Sequence, residues 1–196
     1  MSVRDQMLAL QWAQLKHDEA YHKDIVILPL AQRIKHMALH NTKYTAYFLD
    51  AVEAGDEARL TKTLVDAFII ALASANTLNQ DLGKELDEAA AASFPEAAAS
   101  LAASLPRKPE DPLWLVRQFA RHNGHLAKIC ESWDHLEPVP FREGMKACNL
   151  ALLEVVLAEA GARGLDIEAA YKSRIRIVEA RSIFDERFRE GAGGEA

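Results

Sequence analysis

The sequence predicts an all-α fold, a bundle of about seven helices, and three observations carry that expectation. Apolar residues recur at three- and four-residue spacing over long stretches, strict alternation and β-branched runs are nearly absent, and glycine and proline fall at intervals that suit helix ends. Of the 196 residues 49% are hydrophobic and 27% charged, enough to bury a sizeable core.

The first helix is expected over residues 3–22, with Met7, Leu8, Trp12 and Leu15 as its buried stripe. Pro29 suits the first position of a second helix, because the N–H it lacks would have no helical partner there. Leu30, Ile34, Met37, Ala38, Thr45, Phe48 and Val52 then trace one face, and Gly55 ends the helix. Asp56 is the next N-cap, and the helix it opens, over residues 57–77, is apolar nearly all round between Leu64 and Ala75. Such a helix belongs at the centre of a bundle. The alanine-rich stretch 86–105, interrupted by Pro95, favours helix but offers little side-chain area, so a peripheral or connecting helix is expected.

Pro106, Pro109 and Pro112 mark a linker that divides the chain into halves at 1–105 and 106–196 of one compact unit. Asp111 is read as the cap of the next helix, with Pro112 at its first position and Leu115, Phe119, Leu126, Ile129 and Trp133 inward. A leucine- and valine-rich helix follows over residues 142–160, closed by Gly161 and Gly164, and Asp166 caps the last long helix. The halves echo each other. His40-Asn41 recurs as His122-Asn123 at an offset of 82, while the apolar stripes pair Ile34 with Leu115 and Phe48 with Ile129 at an offset of 81.

Charge and cysteine content narrow the function classes. The net charge of −6, from 23 basic and 29 acidic residues, lacks the surplus that phosphate-backbone binding needs, so no nucleic-acid partner is expected. The longest apolar run, residues 67–73, is far shorter than the roughly 20 residues a membrane span requires, and the N-terminus has no signal-type apolar core. Cys130 and Cys148 form no CxxC pair and are read as reduced core residues, which suits a cytoplasmic protein.

Three segments carry a resemblance. Asn123-Gly124-His125-Leu126-Ala127-Lys128 resembles the A-G-E-L-A-K segment of MazG-like nucleotide pyrophosphohydrolases, an all-α superfamily. Ala162 through Glu168, reading ARGLDIE, is similar to the family's R-L-G-I-D-L-E helix exit, and half one repeats it as Thr77-Leu78-Asn79-Gln80-Asp81-Leu82. Arg174 through Arg181, reading RIRIVEAR, resembles the family's K-L-E-I-N-R-A-R terminal helix, with Val178 in place of asparagine. The resemblance implies two tandem MazG-like halves packed together, a dimer-like unit within one chain, with a homodimer as a further assembly it allows.

It also implies a magnesium site built from E-E-x-x-E and E-x-x-D, whose hard oxygen ligands suit Mg²⁺ bridging to nucleotide phosphates. Here the first pattern holds Leu39, His40 and Lys43 in half one, and Arg121, His122 and His125 in half two. The second holds Thr63 and Asp66, then Cys148 and Ala151, so only Asp66 remains. The expectation is a catalytically degenerate member that binds a nucleotide, another anionic ligand or a protein partner. One rival is an active enzyme with Mg²⁺ at a rearranged site of Asp66, Glu143 and Glu154; another is an assembly bundle without a ligand.

The candidate binding residues are His40, Lys43, Asp66, His122, His125, Glu154, Arg174 and Arg181. His36, His40, Lys43 and Tyr47 form one polar stripe, in which two histidines four apart could chelate zinc only with a further ligand, so no metal site is assigned. Asp66 sits in an apolar helix and needs a donor, expected to be His40, Lys43 or Tyr44 across an antiparallel pair. Glu154 poses the same question, and His122 is read as a hydrogen-bonded core histidine with His125 one turn on. Lys172, Arg174, Arg176 and Arg181 could meet phosphates, although interleaved acids make a solvated face an equal reading.

Overall fold

The computed structural model describes residues 2–86, 93–105 and 111–182. Capping side chains set most helix starts. Ser2 and Asp5 form a capping box at α1 (Val3–Tyr21), Asp56 accepts from the Arg59 N–H at α4 (Glu57–Leu78), and Asp166 accepts from the Ala169 N–H at α9 (Ile167–Glu179). Between them lie α2 (Lys23–Val26), α3 (Leu30–Ala54), α5 (Leu82–Leu86), α6 (Phe94–Ser104), α7 (Trp114–Asp134) and α8 (Phe141–Ala162). Two of the nine helices among the described residues, α2 and α5, are a turn or so long, which leaves seven of the expected size.

A ring of four helices holds the core. α3 and α4 form one antiparallel hairpin and α7 and α8 another, with α3 against α7 and α4 against α8. Phe48 of α3 meets Phe119 of α7 edge to face, ring centres 5.1 Å apart. α4 buries 13 of its 22 residues because α1 and α9 cover the sides that α3 and α8 leave free. Each Leu or Phe fully buried this way contributes about 1.5–3 kcal/mol. No described helix is long and apolar enough to cross a membrane.

Three expectations are corrected. α1 does not bury its Leu8–Trp12 stripe, since Leu8 is 40% and Trp12 59% exposed, while Gln11, Gln14 and His17 turn inward beside Met7 and Leu10. Amide chemistry explains the rotation. Gln11 Nε2 donates to the Gln80 carbonyl at 2.8 Å, Gln11 Oε1 accepts from the Leu82 N–H, and Asn76 Nδ2 donates to the Gln11 carbonyl. Asn149 of α8 extends the network, donating to Gln80 Oε1 at 3.0 Å and to the Ala71 carbonyl. Buried amides satisfied on this scale fix one register, because slippage would strand several donors at once.

The alanine-rich α6 is not peripheral. Ala97 and Ala98 are buried against α8, and at Gly161 a Cβ would lie 2.6 Å from the Ala98 carbonyl carbon. Small residues let the two backbones approach, so the segment's low side-chain area serves close packing. Finally, α7 starts at Trp114 with Leu113 as its cap residue, later than Asp111-Pro112 implied. Asp111 instead pairs through its side chain with Arg117, and its carbonyl accepts from the Trp114 N–H. Of the expected linker, residues 106–110 lie outside the described residues.

Candidate functional site

A cleft with room for about 120 Å³ lies between α1, α2, α3 and α4. Asp18 and His22 enter it from the end of α1, Arg33, His36 and His40 from successive turns of α3, and Asn76 and Thr77 from α4. The α3 residues share a face because they are spaced three and four apart. Ile69, Ile70 and Met37 supply an apolar wall.

The polar lining is only partly satisfied. Arg33 donates through one terminal nitrogen to the carbonyls of Val26 and Leu28, which ties down the α2–α3 turn, but its Nε is buried without a partner among the described residues. Gln14 is 1% exposed and donates to Asp18 Oδ1 at 2.7 Å, yet its own Oε1 accepts nothing from the described residues. Buried polar atoms left this way cost about 1–3 kcal/mol each, and such atoms on a cleft wall are what a polar ligand would satisfy.

Burial pushes the Asp18 carboxyl up to about 6, against the lowering by its bond to Gln14 and the charges of His22 and Arg33. Burial also pushes His40 down to about 4, helped by the Lys43 and His36 charges, so its ring is neutral near pH 7. Its Nε2 is 3.1 Å from His36 Nε2, and its Nδ1 is 3.1 Å from Lys43 Nζ and 3.4 Å from the Tyr44 hydroxyl. The cleft thus offers one guanidinium, three imidazoles and a single carboxylate.

The expected donor for Asp66 is corrected. Asp66 is held by Arg174 of α9, with Nε and a terminal nitrogen at 2.6 and 3.2 Å, and by Lys62 one turn earlier at 2.9 Å. His40, Lys43 and Tyr44 are not its hydrogen-bonding partners, because α9 packs on α4 and delivers a forked guanidinium to that level. Tyr44 stays within electrostatic range: burial first, then the Asp66 charge, raises its hydroxyl well above the usual range. His40, Tyr44, Asp66 and Arg174 therefore form a polar strip running from the cleft across α3 and α4 to α9. Lys43 sits exposed at its edge, over the Tyr44 ring at 4.8 Å.

The other candidates lie apart from the cleft, which takes none of its described lining from α7, α8 or α9. His122 is half-buried rather than a core histidine. The inward position is taken by Asn123, which donates to the Ala38 carbonyl and to Thr42 Oγ1 at 2.9 Å. Burial, then the neighbouring charges of His125 and Arg121, lowers the His122 ring pKa, and the two imidazoles stand 6.3 Å apart. Glu154 is half-buried, and burial together with the Glu85 charge raises its carboxyl. Glu143 is exposed at the start of the same helix, about 16 Å along the axis from Glu154 at 1.5 Å per residue, too far to share an ion with it. Arg181 is exposed beyond the end of α9.

No family model, curated protein or solved structure matches this chain. Apolar patterning did not single out Asp18, His22 and Arg33, because it placed α1 by a Leu8–Trp12 stripe that the fold leaves exposed and gave no partner for the polar residues facing it. The available signal was the density of histidine and acid in Lys16-His17-Asp18-Glu19-Ala20-Tyr21-His22, opposite the His36/His40 stripe.

Proposed function

We propose that this chain is a MazG-like bundle, built as two related halves, that binds a nucleotide or another small phosphate-bearing anion and has lost the family's magnesium chemistry. One observation carries the reading: Arg33, His22, His36 and His40 converge on one cleft beside the buried, unpartnered Arg33 Nε and Gln14 Oε1. A guanidinium and imidazoles suit an anion, and a lone carboxylate makes no cage for a hard dication. The substitutions at the family's acidic positions support the same direction, since Leu39, His40 and Lys43 stand where three carboxylates would be needed. A cleft with unsatisfied walls also fits a ligand-binding role better than a purely structural bundle.

Thermal unfolding across a panel of nucleoside mono-, di- and triphosphates, inorganic triphosphate and nucleosides, with and without Mg²⁺, tests this. A ligand at 100 times its Kd adds about 2.7 kcal/mol to native stability. Phosphate-bearing ligands are expected to raise Tm without Mg²⁺, and His36→Ala to reduce that rise. A panel with no response at millimolar concentration, or a response only with Mg²⁺ accompanied by pyrophosphate release, would sink the reading.

A further inference from the structure

We propose that His17, Asp18 and His22 form a binding site for a first-row divalent transition metal, with Zn²⁺ the best-fitting ion. Among the described residues these three offer ligand atoms that all lie within 4.8 Å of one another. Local geometry explains the grouping. Asp18 and His22 are four residues apart and share a helical face, and His22 is the C-cap of α1, where φ −129° and ψ 43° take the chain out of the helix. That departure brings the His22 ring to 5.3 Å from the ring of His17.

Two of the three groups are prepared for ligation by a neighbour. Glu179 Oε1 is 3.3 Å from His17 Nδ1, and a carboxylate there makes Nδ1 the protonated nitrogen, leaving Nε2 with its lone pair. This carboxylate–histidine arrangement is the one that orients metal-bound imidazoles in many sites. Gln14 donates to Asp18 Oδ1, and no other hydrogen bond to this carboxylate is seen among the described residues. The Gln14 Oε1 is buried without a donor, and a metal-bound water is a donor of the kind that atom lacks.

The donor set chooses the metal. Two imidazoles and one carboxylate match borderline ions such as Zn²⁺ and are poor for Mg²⁺ or Ca²⁺, which take mainly oxygen ligands. Asp18 and His22 line the cleft, so a three-residue site keeps a coordination position open toward whatever enters. The metal site stands without the anion-binding reading, because its occupancy is read in the absence of any nucleotide.

The test uses the full chain without an appended histidine tag, stripped by a chelator and titrated with Zn²⁺ against a chromophoric competitor. Parallel Co²⁺ titration reads ligand-field absorption. One equivalent is expected to bind at submicromolar Kd. Asp18→Asn and His22→Ala are expected to weaken it by at least about 100-fold, and Glu179→Gln by about 10-fold, in the range typical of altered metal-site shells. His125→Ala, outside the cleft, should leave the affinity unchanged. Absence of a bound equivalent at micromolar Zn²⁺, or unchanged affinity in both Asp18→Asn and His22→Ala, overturns the site. Loss confined to His36→Ala overturns it too, by moving the metal to the His36/His40 pair. If both ligand variants unfold, carbethoxylation of the wild-type chain decides: Zn²⁺ should protect His22 and leave the exposed His135 reactive, and equal labelling of both overturns the proposal.

Discussion

At the scale of single residues, Asp66 shows how a sound physical requirement can be met from an unexpected direction. A carboxylate inside an apolar helix needs a donor, and the sequence carried that need plainly. It did not say which element would supply the donor, because α9 returns to α4 over a distance that no local spacing encodes. Arg174 and Asp66 are 17% and 13% exposed, so their contact is more than a surface ion pair. Truncation of Arg174 would leave Asp66 with only the mostly exposed Lys62. We expect Arg174→Met to cost about 1–3 kcal/mol in urea denaturation, below the full buried-pair value because Lys62 and some water remain. Asp66→Asn in the same background should recover part of that loss, since it removes the stranded charge. An Arg174→Met variant as stable as wild type would show that the pair contributes nothing to the fold. The same limit applies to His17, Asp18 and His22: their grouping is local, but the contact of His17 with Glu179 and the place of Asp18 and His22 on the cleft depend on how α1 rotates.

At the scale of elements, the long helices were legible because caps and periodicity agree in one stretch of chain. Asp56, Gly55 and Asp166 stand where their chemistry predicts, and Gly55 has the positive φ of 62° that favours glycine. The rotation of α1 and the position of α6 were not legible, because both are set by partners distant in sequence. Two glycines inside helices separate local from tertiary effects. Gly124 of α7 has open space around the position a Cβ would occupy, whereas Gly161 of α8 faces the backbone of Ala98. Gly124→Ala should therefore stabilise by about 0.5–1 kcal/mol through helix propensity alone. Gly161→Ala should destabilise by about 1–3 kcal/mol, because the clash is with backbone and cannot be relieved by a rotamer change. Equilibrium denaturation of both variants checks the pair, and equal effects would mean that α6 does not dock on α8 as described.

At the scale of the whole molecule, the two sequence halves share one interior. α4 is covered by α8 and α9, and α6 by α8, so the first half has no closed core of its own. A fragment of residues 1–105 should lack a cooperative urea transition and regain one when mixed with residues 106–196; cooperative unfolding of the fragment alone would make the halves independent domains. The dependence of α4 on α9 also has a consequence in time. α9 is synthesised about 90 residues after the end of α4, which at bacterial or eukaryotic elongation rates is roughly 5–20 s. Until α8 and then α9 emerge, the described helix with the most buried residues waits beside the ribosome with those two flanks uncovered. Residues 1–105 are that waiting state in isolation, and their capture by a holdase chaperone, released on addition of residues 106–196, would measure how long a newborn chain depends on an escort.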